Sequence, residues 1–361
     1  MNIETKLLVS GRDVKPSQSI FRVRGVFNPA GVRLKNGKIL LMARVSETPY
    51  HDNKTFIAPR FSGEKELKWT IERVDRKKMK LCPDCFLTDE KFSRLPTISH
   101  LRKILLSSDG MNVEKISDFP DFFGLKNDGD FGVEDPRITY LAEEKKYAMS
   151  YVSVSMDSGV STSLATSKDL EHWKREGIIF RQQNKDVVIF PEKINGYYVA
   201  LHRPEGTMIF DKPSIWISYS KDLIFWGKDK PMIKPSKFGW DHLRIGAGTV
   251  PIRTDEGWLE IYHGVSLTQF NDPGSHKIYS AGAFLTDLKK PDKVIARTPN
   301  HEPLFKPKLK SEKSGFVNDV IFPTAAISDK ANKNLLIYSG ASDSSIVARK
   351  IKIGDILNSL K

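Results

Sequence analysis

The ionisable residues that could do chemistry gather in a few short, turn-like stretches of the sequence. The densest is Gly132-Val133-Glu134-Asp135-Pro136-Arg137, two acids and an arginine in a proline-punctuated turn between apolar runs. Pro136 fixes its own φ and biases Asp135 toward extended backbone, so one acid can project toward a substrate while Arg137 orients the other. The same residues could equally close a salt-bridged turn.

A second stretch runs from Asn184 through Lys185, Asp186 and Glu192 to Lys193, and is followed by an apolar run ending in His202-Arg203-Pro204. Cations at the ends of neighbouring strands can converge on one anion. Lysine offers a compact charge, arginine a planar fork and histidine a tunable donor, a set that suits phosphate better than a neutral ligand. The alternative is ordinary ion pairing with Asp186 and Glu192.

Arg244-Ile245-Gly246-Ala247-Gly248-Thr249 contains Gly-x-Gly, but no third glycine follows at dinucleotide spacing and no Walker lysine is present. These glycines read as close-approach positions beside a central pore. Near the C-terminus, Tyr338-Ser339-Gly340-Ala341-Ser342-Asp343 leads a strand into a polar turn where Asp343 can reach a sugar hydroxyl or cap the turn itself.

The elements that must position these residues are short strands. Runs at Lys38 to Val45, Tyr147 to Ser153, Tyr197 to His202, Ser214 to Tyr219, Trp258 to Val265 and Leu335 to Ser339 are bounded by turn residues, and helical periodicity is expected only at Ser99 to Leu106 and Ile353 to Leu360. Ser167-Lys168-Asp169-Leu170-Glu171-His172-Trp173 returns as Ser220-Lys221-Asp222-Leu223-Ile224-Phe225-Trp226. A period of about 50 residues made of several short strands is what a propeller blade requires, because one four-stranded sheet cannot bury both its faces alone. In each copy Asp would satisfy turn amides and Trp would pack between blades. Ser62 to Phe92, rich in Lys, Arg, Asp and Glu, reads as an insertion between blades of a single domain spanning 1–361.

Composition narrows the function classes. The net charge of +13 would suit an anionic partner, yet Lys and Arg are scattered among acids and no DNA- or RNA-recognition motif is present, so nucleic acid is not expected as a partner. No apolar run approaches the length of a membrane span, and the N-terminal residues lack the core of a signal peptide, so a cytoplasmic protein is expected. Cys82 and Cys85 form half of a four-ligand zinc site with no second half, and are expected to be reduced structural thiols. Homo-oligomerisation is left open.

Taken in order, Gly-Val-Glu-Asp-Pro-Arg, Phe-Pro-Glu-Lys-Ile-Asn-Gly, Leu-His-Arg-Pro, Gly-Trp-Leu-Glu-Ile-Tyr-His-Gly and Gly-Ala-Ser-Asp resemble glycoside hydrolase family 130, the β-mannoside phosphorylases and their hydrolytic relatives, from about Phe21 to Ile353. The resemblance implies an all-β, five-bladed β-propeller with its site on the central axis and a short C-terminal helix. It implies Asp135 as general acid, Asn28, Arg44, Glu134, Arg137 and Asp343 around the mannosyl unit, and Lys185, Lys193, His202, Arg203, Tyr262 and His263 on the phosphate side. The implied reaction is inverting cleavage of a β-mannoside by inorganic phosphate, giving α-mannose 1-phosphate without metal or organic cofactor. The substrate would be β-1,2-mannobiose or oligomannan, or a β-1,4-mannosyl glucose or N-acetylglucosamine. Where some family phosphorylases carry an arginine, this chain reads Ser158-Gly159-Val160-Ser161-Thr162-Ser163, and Glu205 could serve as general base if the protein were a β-1,2-mannosidase. A non-catalytic carbohydrate-binding propeller is the third reading.

Overall fold

Apolar runs of this length, rich in β-branched residues, bury themselves most readily as strands, and the computed structural model is built almost wholly of them. It describes residues 1–50, 54–78, 80–81, 87–88, 93–206, 208, 210–268, 274–329 and 331–360. Cys82 and Cys85 lie outside the described residues.

Five antiparallel sheets, each following a path of four strands, form the blades. Blade 1 runs outward from Phe21–Arg33 through Ile39–Pro49 and Ile98–Leu106 to Val113–Ile116. Blade 2 comprises Gly132–Leu141, Lys146–Ser155, Gly159–Ser167 and Lys174–Phe180, and blade 3 Asn184–Ile189, Tyr198–Pro204, Ile215–Ser220 and Trp226–Ile233. Blade 4 comprises Arg244–Ala247, Trp258–Leu267, Lys277–Thr286 and Val294–Arg297, with Ile252–Arg253 added beside its second strand. Blade 5 takes Ile321–Ser328, Asn334–Ala341 and Ser345–Lys352 from the C-terminal end and its outermost strand, Ile3–Ser10, from the N-terminal end. That pairing, from Ile3 opposite Ile351 to Ser10 opposite Ser345, closes the ring.

Each junction between blades is filled by one apolar cluster. Val26, Leu41 and Tyr338 join blades 5 and 1, Met42, Ile138 and Tyr151 join 1 and 2, and Leu164, Ile189 and Leu223 join 2 and 3. Leu201, Ile245 and Trp258 join blades 3 and 4, and Ile261, Ile321 and Ile337 join 4 and 5. The C-terminal helix Ile353–Ser359 buries Ile353, Ile356 and Leu357 in the last of these.

The repeated Ser-Lys-Asp turns are one structure used twice. The Ser167 hydroxyl accepts from Leu170 N at 2.9 Å and Asp169 accepts from Glu171 N and His172 N at 2.8 Å; Ser220 and Asp222 repeat the pattern on Leu223, Ile224 and Phe225 at 2.9 Å. Trp173 and Trp226 pack against successive inter-blade clusters.

Two expectations are corrected. Ser99 to Leu106 belongs to the strand Ile98–Leu106 rather than to a helix. Buried on both faces in the middle of blade 1, it loses the alternation that marks a half-exposed strand. The charged segment from Ser62 to Phe92 lies not between blades but within blade 1, between Ile39–Pro49 and Ile98–Leu106. At its start Trp69–Asp75 pairs with the preceding strand Thr55–Phe61 as a two-stranded ribbon, and the Phe61 and Trp69 rings pack 4.4 Å apart. Among the described residues no helix is long and apolar enough to cross a membrane.

Removing residues 1–10 would leave Ser345–Lys352 as an open sheet edge and uncover the cluster that holds Val9. A fall of the thermal midpoint on the order of 10 °C, or aggregation on heating, is expected by calorimetry; an unchanged midpoint would show that the N-terminal strand does not close the ring.

Candidate active site

The innermost strands of blades 1, 2 and 3 break register at the same place. The shifts fall between Phe27 and Ala30, Glu134 and Arg137, and Lys185 and Val188. At each bulge one residue has left-handed backbone: Asn28 (φ 48°), Asp135 (φ 46°) and Asp186 (φ 56°). Asp343, in the turn between the last two C-terminal strands, is left-handed as well (φ 49°). Asn and Asp tolerate this region better than other non-glycine residues, and a bulge re-aims the side chain it carries. Pro136 was expected to favour extended backbone at Asp135; the bulge, held by Arg137, overrides that bias.

Arg137 passes beneath Asp135. Its Nη1 donates to the Asp135 and Pro136 carbonyls at 2.8 and 3.3 Å, and its Nε to the Gly248 carbonyl of blade 4 at 2.6 Å. Gly248 N in turn donates to Glu260 Oε1 at 2.9 Å. A methyl on Gly248 would lie 2.3 Å from the Ile261 carbonyl oxygen, so only glycine fits there. Burial lowers the Arg137 pKa and raises that of Glu260 well above the usual carboxyl range. Arg137 therefore fixes the bulge rather than facing a ligand.

Above it, Asp135 Oδ1 accepts from Asn28 Nδ2 at 2.9 Å and from Arg44 Nη1 at 3.1 Å, while Arg44 Nη2 donates to Glu134 Oε1 at 2.7 Å. Burial works against the Arg44 charge, but Glu134, Asp135 and Asp343 raise its pKa overall. Asp343 is pushed up to about 6, first by burial and then by Asp135 and Glu134, with Arg44 opposing. A methyl on Gly340 would collide with Asn28 Oδ1, so its absence lets Asn28 sit at the axis.

The second group is cationic. Arg203 Nε donates to Asp186 Oδ2 at 2.6 Å, its Nη1 bonds Glu205 Oε1, and Arg244 Nη1 lies 3.7 Å from the same Glu205 oxygen. Lys185 pairs in register with Arg203, and its charge acts on Glu205. Burial opposes the Asp186 charge, yet Arg203 and Arg137 hold its carboxyl well below the usual range. His263 stands 3.7 Å from Asp186; burial drives its pKa to about 3, so the ring is neutral at neutral pH. A methyl on Gly246 would fall 2.3 Å from Asp186 Oδ2 and 2.4 Å from His263 Cε1, the close approach expected of that glycine. Tyr279 stands where the two groups meet: burial raises its phenol, Arg244 and Arg203 pull it down, and Asp343 and Asp186 push it up.

The structure thus brings together Asn28, Arg44, Glu134, Asp135 and Asp343 on one side and Lys185, Arg203, His263 and Glu205 on the other. It turns three expected phosphate residues elsewhere. His202, adjacent to Arg203 on a strand, faces the other side, where it bonds Asn184 and Ser218 and stacks on Phe180 at 4.5 Å. Tyr262, adjacent to His263, lies in the blade 3–4 core with its hydroxyl bonded to Asp241 and Arg297. Lys193 sits in the turn at the far end of the Asn184–Ile189 hairpin, paired with Glu144 at 2.8 Å. Asp186, Arg244 and Tyr279 were not among the expected site residues. Asp186 repeats the bulge of Asn28 and Asp135 and Arg244 precedes Gly246, whereas Tyr279 is placed by strand pairing, opposite Val265, which no motif announces.

Five blades with acids and cations facing one another across the axis define a propeller of the glycoside-cleaving class. The profile of the β-1,4-mannooligosaccharide phosphorylase family, glycoside hydrolase family 130, matches residues 102–361, and the chain belongs to that family. It is 36% identical over 378 aligned residues, 100% of this chain and 99% of the relative, to β-1,2-mannobiose phosphorylase of Listeria innocua. A 1,2-β-oligomannan phosphorylase of Thermoanaerobacter sp. is 36% identical over 70% of this chain and 78% of its own length. The solved complex of the Listeria innocua enzyme with β-1,2-mannobiose superposes with a TM-score of 0.86 at 35% identity, covering 100% of this chain and 99% of that one.

Two outcomes follow. Arg137→Lys keeps the charge but loses the fork to Gly248 and Asp135, so kcat should fall about 100-fold with a smaller change in KM; steady-state kinetics that find KM alone affected would refute the tie. The folded Asp343 carboxyl keeps its proton to about pH 6 while an unfolded one loses it near 4, so ionised Asp343 disfavours the native state increasingly as pH rises from 4 through 6. Asp343→Asn should therefore raise the melting temperature at pH 8, by an amount equivalent to about 3 kcal/mol at most, and leave it nearly unchanged at pH 4. An equal shift at both pH values would contradict this assignment.

Proposed function

We propose that this protein is an inverting phosphorylase of β-mannosides, with β-1,2-mannobiose or short β-1,2-oligomannans as substrates. The observation that carries the reading is the facing of Asp135, Arg44 and Asp343 by Arg203, Arg244 and Lys185, with Tyr279 between. The full-length similarity to a β-1,2-mannobiose phosphorylase supports the linkage.

In this mechanism Arg44, Glu134 and Asp343 hold the hydroxyls of the mannosyl unit and Asn28 fixes the Asp135 carboxyl. Asp135 supplies a proton to the leaving glycosidic oxygen by way of a mannosyl hydroxyl. A phosphate oxygen attacks C1 from the opposite face, the C1–O bond breaks with its electron pair going to the departing sugar, and the product is α-mannose 1-phosphate. An inverting hydrolase needs a second carboxylate to activate water, whereas phosphate brings its own charge and needs cations to hold it. Phosphate is thus a co-substrate, and no metal or organic cofactor enters. Glu205, the residue that a hydrolase would use as base, accepts a hydrogen bond from Arg203, and although burial raises its pKa, Arg203 and Arg244 lower it overall. A carboxylate engaged in this way is a poor base, which favours phosphate over water.

Purified protein incubated with β-1,2-mannobiose should form mannose 1-phosphate only when inorganic phosphate is added, and Asp135→Asn should reduce that rate by about 1000-fold. Free mannose formed at the same rate without phosphate would establish a hydrolase, and full activity of Asp135→Asn would remove it as the acid.

A further inference from the structure

The cationic group contains one acid more than an anion site calls for. Arg203, Arg244 and Lys185 contribute three positive charges; Asp186 and Glu205 offset two, and His263 is neutral at neutral pH. The two acids are held differently. Asp186 is buried at a bulge, bonded to Arg203 Nε at 2.6 Å, with His263 3.7 Å away and so little space beside Gly246 that an added methyl would lie 2.3 Å from its Oδ2. Glu205 is only half-buried, and it follows the last residue of the strand Tyr198–Pro204 and precedes Gly206. Its backbone is pinned, Glu205 N donating to the Gln183 carbonyl at 3.0 Å, so its side chain alone can swing.

We infer that Glu205 is an internal counter-anion of the phosphate site: its carboxylate takes Arg203 Nη1 beside Arg244, and phosphate must displace it to bind. This rests on the reading of Arg203, Arg244 and Lys185 as the phosphate side of the site. Once Glu205 swings away the group carries two net positive charges, which match a phosphate dianion. With Glu205 in place only one remains, and the carboxylate oxygen competes for the Arg203 Nη1 donor. Glu205 therefore sets how tightly phosphate is held. It keeps two buried or half-buried arginines paired between turnovers, since cations left without a partner in a closed site are costly. It also keeps phosphate, and the phosphate ester formed from it, from binding so tightly that release becomes slow.

The test compares Glu205→Gln with Arg244→Gln in phosphorolysis of β-1,2-mannobiose at varied inorganic phosphate, alongside direct calorimetric titration of each protein with inorganic phosphate. Calorimetry does not require turnover, and a thermal melt of each variant reports folding. Glu205→Gln should lower the KM and Kd for phosphate by about tenfold, the scale of one like-charge contact in a partly solvated pocket, whereas Arg244→Gln should raise both. If Arg244→Gln raises them and Glu205→Gln leaves them unchanged or higher, the counter-anion role is overturned while the phosphate site stands. If Arg244→Gln has no effect on phosphate, the site assignment falls and the inference with it. Loss of all turnover in folded Glu205→Gln with phosphate affinity unchanged would make Glu205 a base and overturn the inference.

Discussion

A strand running along the axis of a propeller points its side chains into the two neighbouring blade junctions, and only a break in its pleat can turn one toward the axis itself. That constraint organises this molecule. Blades 1, 2 and 3 break their inner strands at matching places, and each break is a bulge with a left-handed Asn or Asp, at Asn28, Asp135 and Asp186. Left-handed backbone is unfavourable for most residues and persists only where surroundings hold it. Here Arg137 bonds the carbonyls on both sides of the Asp135–Pro136 link and anchors itself on blade 4, so the ring as a whole maintains the bulge. The five apolar junctions and the N-terminal strand that closes blade 5 are what make the ring rigid enough to do so.

The same geometry explains the electrostatics. Bulges from adjacent blades set charges a few ångströms apart in a site partly closed to water, where like charges repel strongly and unpaired ones are disfavoured. The structure separates them by sign: Glu134, Asp135 and Asp343 surround Arg44, and Arg203, Arg244 and Lys185 surround Asp186 and Glu205. One side suits the hydroxyls and leaving oxygen of a sugar, the other an anionic nucleophile. His263, neutral because it is buried, adds a polar edge without adding charge.

Much of this was legible in the sequence because its carriers are local. The turn Glu134-Asp135-Pro136-Arg137, the repeated Ser-Lys-Asp turns and the strand spacing are contiguous patterns, and they led to the propeller and to the turn that carries Asp135. What was missed depends on facing and distance. His202 and Tyr262 were grouped with their neighbours Arg203 and His263, although a strand sends adjacent side chains to opposite faces; the alternation itself would have excluded them. Lys193 lies eight positions after Lys185 but beyond a hairpin turn, so nearness in the chain became distance in space. Tyr279 enters through the pairing of Trp258–Leu267 with Lys277–Thr286, a register that no single segment encodes. The strand Ile98–Leu106 was mistaken for a helix because burial on both faces leaves no alternation to read.

The central claim is that an acid on one side of the axis and a phosphate held on the other act on opposite faces of the mannosyl unit. Proton NMR of the sugar phosphate formed from β-1,2-mannobiose and inorganic phosphate tests it most directly, because a phosphate ester at C1 does not mutarotate and keeps the anomeric configuration in which it forms. The account predicts α-mannose 1-phosphate as the first product. Formation of β-mannose 1-phosphate would contradict it, since retention requires attack from the face that Asp135 and the departing sugar occupy.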